Sequence, residues 1–189
     1  MVNARPSVVL VCLSLVVCAG CGLFDLREPE NPDSGPQVPF EIPTEPRIAL
    51  ENLKATTEAR VVTNFDRSLT ADYIFRFDPF EAPSDTVWNK DRDIQAITAM
   101  FRNEAKVTLN WAVTDSGNIE DDFFYRNLGY RLVFRLGVAD SVVIIGKCTM
   151  YFRLDQQQWL IYRWADVKVS GDPDVYSWGY ARLNPNFGS

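Results

Sequence analysis

The side chains able to do chemistry in this sequence are carboxylates and thiols, because it contains no histidine. That removes the commonest general base and the commonest metal ligand together. Two carboxylates stand where a cavity could use them as a base: Asp72, at the entry to the first expected strand, and Asp166, near the end of the last. Each also has a plainer reading, Asp72 as a strand-entry turn residue and Asp166 as a hydrogen-bond partner of the tail that follows it. The thiols are Cys12, Cys18, Cys21 and Cys148. Cys148 falls on the apolar parity of a long strand while Lys147 points the other way, so it reads as a small core residue and not a nucleophile. Glu120, Asp121 and Asp122 lack the alternating spacing of a calcium loop and read as a solvated face, so neither a metal nor a cofactor is expected.

Cys21 carries the most specific chemical assignment. Arg5 is the only charged side chain before it, Val8 to Ala19 is an apolar run of about twelve residues, and Ala19-Gly20 are the small residues a signal peptidase pocket admits. The run is too short to cross a hydrocarbon core of roughly 30 Å. These residues resemble the bacterial lipoprotein signal, over positions 1–21. Cys18 stands where Leu is commonest in that pattern. The resemblance implies cleavage between Gly20 and Cys21, a diacylglycerol on the Cys21 thiol and an acyl chain on its new amine. It implies a membrane-lipid partner, with Gly22 in place of Asp pointing to the outer membrane. Cleavage would remove Cys12 and Cys18, leaving Cys148 without an intramolecular disulfide partner.

Beyond Cys21 the chain holds 18 basic against 25 acidic side chains. An acidic balance without basic runs argues against nucleic acid and against electrostatic docking on anionic lipid. Pro29, Pro32, Pro36, Pro39, Pro43 and Pro46 then interrupt an acidic stretch. Prolines at this density exclude helix and weaken any ladder, which predicts an extended spacer reaching on the order of 70 Å. The expected organisation is a signal peptide over 1–20, a lipidated cysteine and tether over 21–46, a folded domain over 47–184 and a tail over 185–189.

The elements that must position Asp72 and Asp166 follow from hydrophobic period. Ile48, Leu50 and Leu53 recur at helical spacing after Pro46, and Val61, Val62 and Phe65 predict a second short helix. Tyr73 to Phe77 reads as a short strand stopped by Asp78-Pro79, with a loop through Pro83 and Ser84. Trp88 to Phe101 is the clearest helix, capped by Asn89 or Asp91. The period then changes to two, predicting strands over Val107–Val113, Tyr130–Leu136, Ser141–Leu154 and Trp159–Val169. Ile119 to Gly129 reads as an acidic loop. Gly137 to Asp140 and Gln156 to Gln158 read as turns. Large apolar groups on both parities around Arg163 predict a bulge in the last strand. The aromatic tail from Tyr176 to Leu183 is expected to fold back on the sheet, since three free aromatics would be an apolar liability.

Helix, helix, strand, helix and four antiparallel strands make an α+β layout, with helices packed on one face of a curved antiparallel sheet. This order, the long aromatic hairpin Ser141–Val169 and the Gln158-Trp159-Leu160-Ile161 start of the last strand resemble the nuclear transport factor 2-like (SnoaL-like) superfamily over residues 47–184. A cystatin-like sheet wrapped on one helix is the alternative. The resemblance implies a cone whose cavity, in enzymes of the isomerase or dehydratase type, uses a carboxylate. Asp72 and Asp166 are the positions to which that role could pass. Tyr73, Trp88, Trp111, Tyr162 and Trp164 could line such a cavity or form plain core. Three functions are expected in this order. The first is a lipid-anchored, non-catalytic envelope domain that binds a small apolar ligand or a protein partner. The second is a SnoaL-like enzyme. The third is an assembly protein that forms a homodimer through the outer sheet face, where Lys147, Thr149, Tyr151 and Arg153 form a row.

Overall fold

A computed structural model describes residues 38–82, 87–102, 106–135, 141–169 and 175–185. The signal segment, the Gly20–Cys21 junction, tether residues 22–37, the Pro83–Ser84 loop, the Gly137–Asp140 turn and residues 186–189 lie outside them.

Pro46 opens helix α1 (Pro46–Ala59) at a position whose N–H would have no partner anyway. Its buried stripe runs through Ile48, Leu53 and Thr56, and Arg60, left-handed at φ 60°, ends it. Helix α2 (Val62–Arg67) follows and buries Phe65. Strand β1 (Leu69–Arg76) begins earlier than the aromatic run Tyr73–Phe77 predicts. Strand β2 (Val87–Asn89) ends on the residue that caps α3 (Lys90–Phe101): the Asn89 side chain accepts from the Arg92 N–H at 3.1 Å. Asp91 and Asp93 sit in the first turn, where the helix dipole favours negative charge. Strands β3 (Lys106–Ala112), β4 (Asp115–Ile119), β5 (Asp122–Arg135), β6 (Ser141–Asp155) and β7 (Gln158–Lys168) follow, and helix α4 (Trp178–Leu183) closes the order.

The strands form one curved, open sheet in the order β2-β1-β7-β6-β5-β3, with β4 pairing β5 beyond the end of β3. The sheet is mixed: β1 lies parallel to β7, while β1–β2, β3–β5, β4–β5, β5–β6 and β6–β7 are antiparallel. No hairpin joins β1 to β7; β2, α3 and β3 to β6 lie between them in the chain. Ile119–Gly129 is not a loop. Glu120 (φ 55°) and Asp121 make the turn, Asp122 opens β5 opposite Ile119, and Phe123-Phe124-Tyr125 carry β5 onward in pairing with β4 and β6. Between Tyr125 and Leu128 the register shifts, with Asn127 left-handed at φ 50°. A second shift falls in β7 opposite Tyr151 and Phe152, so that Ile161 and Trp164 both point inward and Tyr162 and Arg163 lie between them. Extra residues on one strand bend it and increase twist, which is what a sheet needs to curl around helices. The β6–β7 hairpin turns through Gln156 and Gln157, both at positive φ, the conformation that matches the strands' own twist.

One face of the curl is dry. Tyr130, Cys148, Met150, Trp164 and Asp166 point into it, and Leu53, Phe65, Ile97 and Met100 meet them from the helices. The tail returns to the sheet as expected: Tyr176 bridges Ile144, the Ile145 N–H donates to the Tyr176 carbonyl at 3.0 Å, and Trp178 and Ala181 are fully buried.

The chain ahead of α1 is fastened down earlier than the tether reading allows. Asn52, buried on α1, brackets Glu41: its Oδ1 accepts from the Glu41 N–H at 3.2 Å and its Nδ2 donates to the Glu41 carbonyl at 2.6 Å. The Asn64 side chain donates to the Val38 carbonyl, and the Trp159 N–H donates to the Pro43 carbonyl at 2.7 Å. Arg67 covers the Phe40 ring at 4.3 Å. Replacing Asn52 with Ala removes both of its partly buried bonds to the Glu41 backbone. We expect a loss of about 1–3 kcal/mol, read from the urea midpoint. An unchanged midpoint would mean that the Asn52–Glu41 bonds contribute nothing to stability.

Candidate functional site

The dry face holds two carboxylates, one from α3 and one from β7. Asp93 is fully buried although it stands in the first turn of its helix, because it shares a face with Ala96, Ile97 and Met100. Its Oδ1 accepts from Arg182 Nε at 2.5 Å and its Oδ2 accepts from the Tyr73 hydroxyl at 2.9 Å. Both partners of this ion pair are closed to solvent. The Arg182 guanidinium also lies over Phe75 at 3.9 Å and Trp164 at 4.5 Å, with the ring faces taking part of its charge. Burial works against the Arg182 charge, but the Asp93 carboxylate and its hydrogen bond hold the group above its ordinary range.

Asp166 is the second. Tyr130 donates to its Oδ1 at 2.8 Å, and the Gly179 N–H donates to its Oδ2 at 2.7 Å. The Tyr130 oxygen in turn accepts from the Trp178 N–H at 2.8 Å. Tyr130 belongs to β5 and Asp166 to β7, so the ring must cross β6 to reach it. It crosses at Gly146, its register partner, where a Cβ would fall 2.0 Å from the phenolic oxygen. Glycine is the residue that leaves the path open. Burial pushes the Asp166 carboxyl up from 3.8 to about 6, against the bonds from Gly179 and Tyr130, which pull it down. Burial also raises Tyr73 and Tyr130 well above the usual phenol range, so both remain donors. Cys148, the register partner of Asp166, is raised in the same way and rests 3.7 Å from the Leu128 carbonyl.

Both carboxylates therefore hold the C-terminal segment. Ser177 caps α4 through the Tyr180 N–H and donates to Glu81, whose carboxyl is itself raised by burial. Trp178 stacks on Trp111 at 5.8 Å and meets Trp164 edge-on at 4.7 Å. Around this cluster the indole N–H groups of Trp111, Trp164 and Trp178 and the Nη1 of Arg182 are buried with no acceptor. These four unmet groups are donors, and the Glu81 Oε1 is a buried acceptor likewise without a partner.

Asp166, Tyr73, Trp111 and Trp164 are brought together on the dry face. Trp88 is buried farther along, edge-on to Phe77 at 4.6 Å. Asp72 and Tyr162 do not join them. Asp72 is exposed and pairs with Arg153 at 2.9 Å, and the Thr70 and Arg153 bonds lower its carboxyl, so it is no cavity base. Tyr162 is turned outward by the β7 register shift and lies under Arg153 at 4.3 Å. Asp93, Tyr130, Trp178 and Arg182 complete the interior without having been singled out. An acid in register with Ala96, Ile97 and Met100 was the available signal for Asp93. No local pattern marks Tyr130, because its partners lie two strands away and in the tail. Among the described residues no three Cys, Asp or Glu side chains converge closely enough to hold a metal ion.

No protein-family model matches this chain, and no curated protein matches it in sequence. Solved structures do share its architecture. A protein from Kribbella flavida superposes with a TM-score of 0.56 at 10% identity, over 67% of this chain and 89% of that one. A candidate dehydratase of the NTF2-like family from Streptomyces avermitilis gives 0.54 at 12% identity, over 66% and 94%. A candidate aromatic ring hydroxylase from Novosphingobium aromaticivorans gives 0.54 at 16% identity, over 71% and 93%. The fold is the nuclear transport factor 2-like one; at these identities the likeness extends to the fold alone.

Two measurements probe the interior. The folded Asp166 value lies above the unfolded one, so the native state binds the extra proton between about pH 4 and 6. Stability from this group is present below about pH 4 and falls as pH rises through about 6, by about 3 kcal/mol. Asp166→Asn should lack that fall, so the difference in stability between parent and variant, read from urea unfolding, should decline across this range; parallel curves for parent and variant would show that Asp166 is not buried as a titrating group. Asp93→Ala leaves the Arg182 charge buried and unpaired and should cost about 3–5 kcal/mol, whereas Asp93→Ala with Arg182→Met should cost much less than the two single changes added. Additive costs would mean that the two groups do not depend on each other.

Proposed function

We propose that this chain is a lipid-anchored protein of the bacterial cell envelope, set in the outer membrane by acylated Cys21, whose domain binds a ligand or a protein partner and does not catalyse. The observation that carries the non-catalytic reading is the use made of the interior carboxylates. Asp93 accepts from Arg182 and Tyr73, and Asp166 accepts from Tyr130 and the Gly179 backbone, so the oxygens a base would offer to a substrate are already taken by donors of the chain itself, Arg182 and Gly179 of the C-terminal segment among them. The anchor rests on Arg5, the short apolar run and Ala19-Gly20-Cys21. Two or three acyl chains give stable attachment where one does not. With residues 38–44 fastened to the domain, the remaining tether reaches on the order of 50 Å if extended.

A second reading, a SnoaL-like enzyme of the isomerase or dehydratase type, is favoured by the four unmet donors beside a carboxyl raised to about 6. A substrate oxygen would satisfy donors of that kind, and Asp166 would be the base. The third reading, an assembly protein pairing through the outer sheet face, is supported by Lys147, Thr149, Tyr151 and Arg153 all facing outward.

Cells fed an alkynyl fatty acid should label the parent, and Cys21→Ala should not label; equal labelling ends the anchor. In cells lacking the protein, folded Asp166→Asn should restore whatever the anchored parent restores. A folded, anchored Asp166→Asn that fails to do so would move the reading to the enzyme.

A further inference from the structure

The acidic net charge conceals a segregation. On the stretch of sheet where β3, β5 and the first half of β6 lie side by side, residues facing away from the core are Lys106, Thr108, Asn110 and Ala112, then Gly129, Arg131, Val133 and Arg135, then Ser141 to Lys147 in alternation. Every charged group among them is a cation. Lys106 and Arg135 stand directly opposite one another, an arrangement that like charges disfavour. Arg131 and Lys147 are exposed and make no ion pair among the described residues.

Within this patch lies a depression of about 330 Å³. Its shape follows from two adjacent rows. Asn110, Arg131 and Ile145 form one, and Ala112, Gly129 and Lys147 form the next. The second row is hollow, because Ala112 and Gly129 raise almost no side chain above the sheet. A Cβ on Gly129 would come within 3.3 Å of the Ala112 Cβ, so the hollow closes as soon as either side chain grows. Ile145 and Val169, both exposed, supply apolar walls. The volume is at the lower end of what small-molecule sites occupy.

We infer that this hollow on the outer sheet face binds a free small amphipathic anion, a carboxylate on a compact apolar body, with Arg131 and Lys147 taking the charge and Ile145 and Val169 the body. Charge decides the class: two cations with no counter-ion among the described residues border an apolar recess, which suits one anionic group on a hydrocarbon better than a neutral oil or a cation. Concavity decides between a free molecule and a bilayer, since the apolar groups line a recess and do not stand proud of it. Trp111, Tyr130 and Gly146 also line the hollow, so it lies back to back with the interior cluster across the same strands. It rests on the binding reading above and gives that reading a ligand class and a place.

The full chain photolabelled with 4-benzoylbenzoate and digested should carry label on peptides containing residues 110–112, 129–131 or 145–147, and 2-naphthoate should compete. Ala112→Leu fills the hollow from an exposed edge-strand position and should reduce labelling about tenfold with the unfolding midpoint unchanged, and Arg131→Ala with Lys147→Ala should do the same. Neutral 4-methylbenzophenone should label these peptides far less. Label elsewhere, label indifferent to Ala112→Leu, or equal label from the neutral probe overturns the site. A dimer in light scattering that Ala112→Leu converts to monomer also overturns it, by giving the face to a second copy. Cys21→Ala protein separates the two proposals: unchanged labelling of these peptides keeps the hollow even where the anchor has failed.

Discussion

A guanidinium cannot enter a dry interior alone, and the pairing of Arg182 with Asp93 is the condition on which the rest of this domain depends. The pair ties the tail to the helix that leads into the strands. Around it the aromatic rings of Phe75 and Trp164 close over the charge, and Tyr73 takes the remaining carboxylate oxygen. Asp166 does the corresponding work at the other end of α4 through Gly179 and Tyr130. Two polar clasps inside an aromatic core are expensive to desolvate, and they fix one arrangement because each donor has its acceptor at one place only.

The fold was largely legible because its signals are periodic. The helical face of α1, the Asn89 cap of α3 and the alternation through β6 are local patterns that physics reads directly from neighbours in sequence. The β7 irregularity was legible too, since large apolar groups on both parities must come from a shift of register. The first half of β5 was not, because Glu120 to Asp122 suggested solvent while the pairing is decided by Phe123-Phe124-Tyr125 against β4 and β6. The parallel contact of β1 with β7 lies beyond any local pattern, as it joins residues as far apart in the chain as Ile74 and Arg163.

The interior was less legible than the fold. Asp166 was visible as a carboxylate in the last strand, and its alternative role as partner of the tail is the bond it makes to Gly179. Asp72 looked equivalent and is not, because inward and outward positions on β1 alternate and Asp72 neighbours Tyr73, which takes the inward place. Tyr130, Gly146 and Asp166 form a single device spread over three strands, and only the register brings them together.

The placing of α4 has a consequence in time. Synthesis delivers α1 through β7 before Trp178–Leu183 emerges. Until then Asp93 has no cation, Asp166 has no Gly179 N–H, and the space beside Trp111 and Trp164 is without Trp178. A nascent sheet in that condition would have to leave charge in contact with water and so could not close. Final packing of the domain thus requires its last helix, and a chain cut before Trp178 would leave Asp93 without its cation and Trp164 without its edge-on partner.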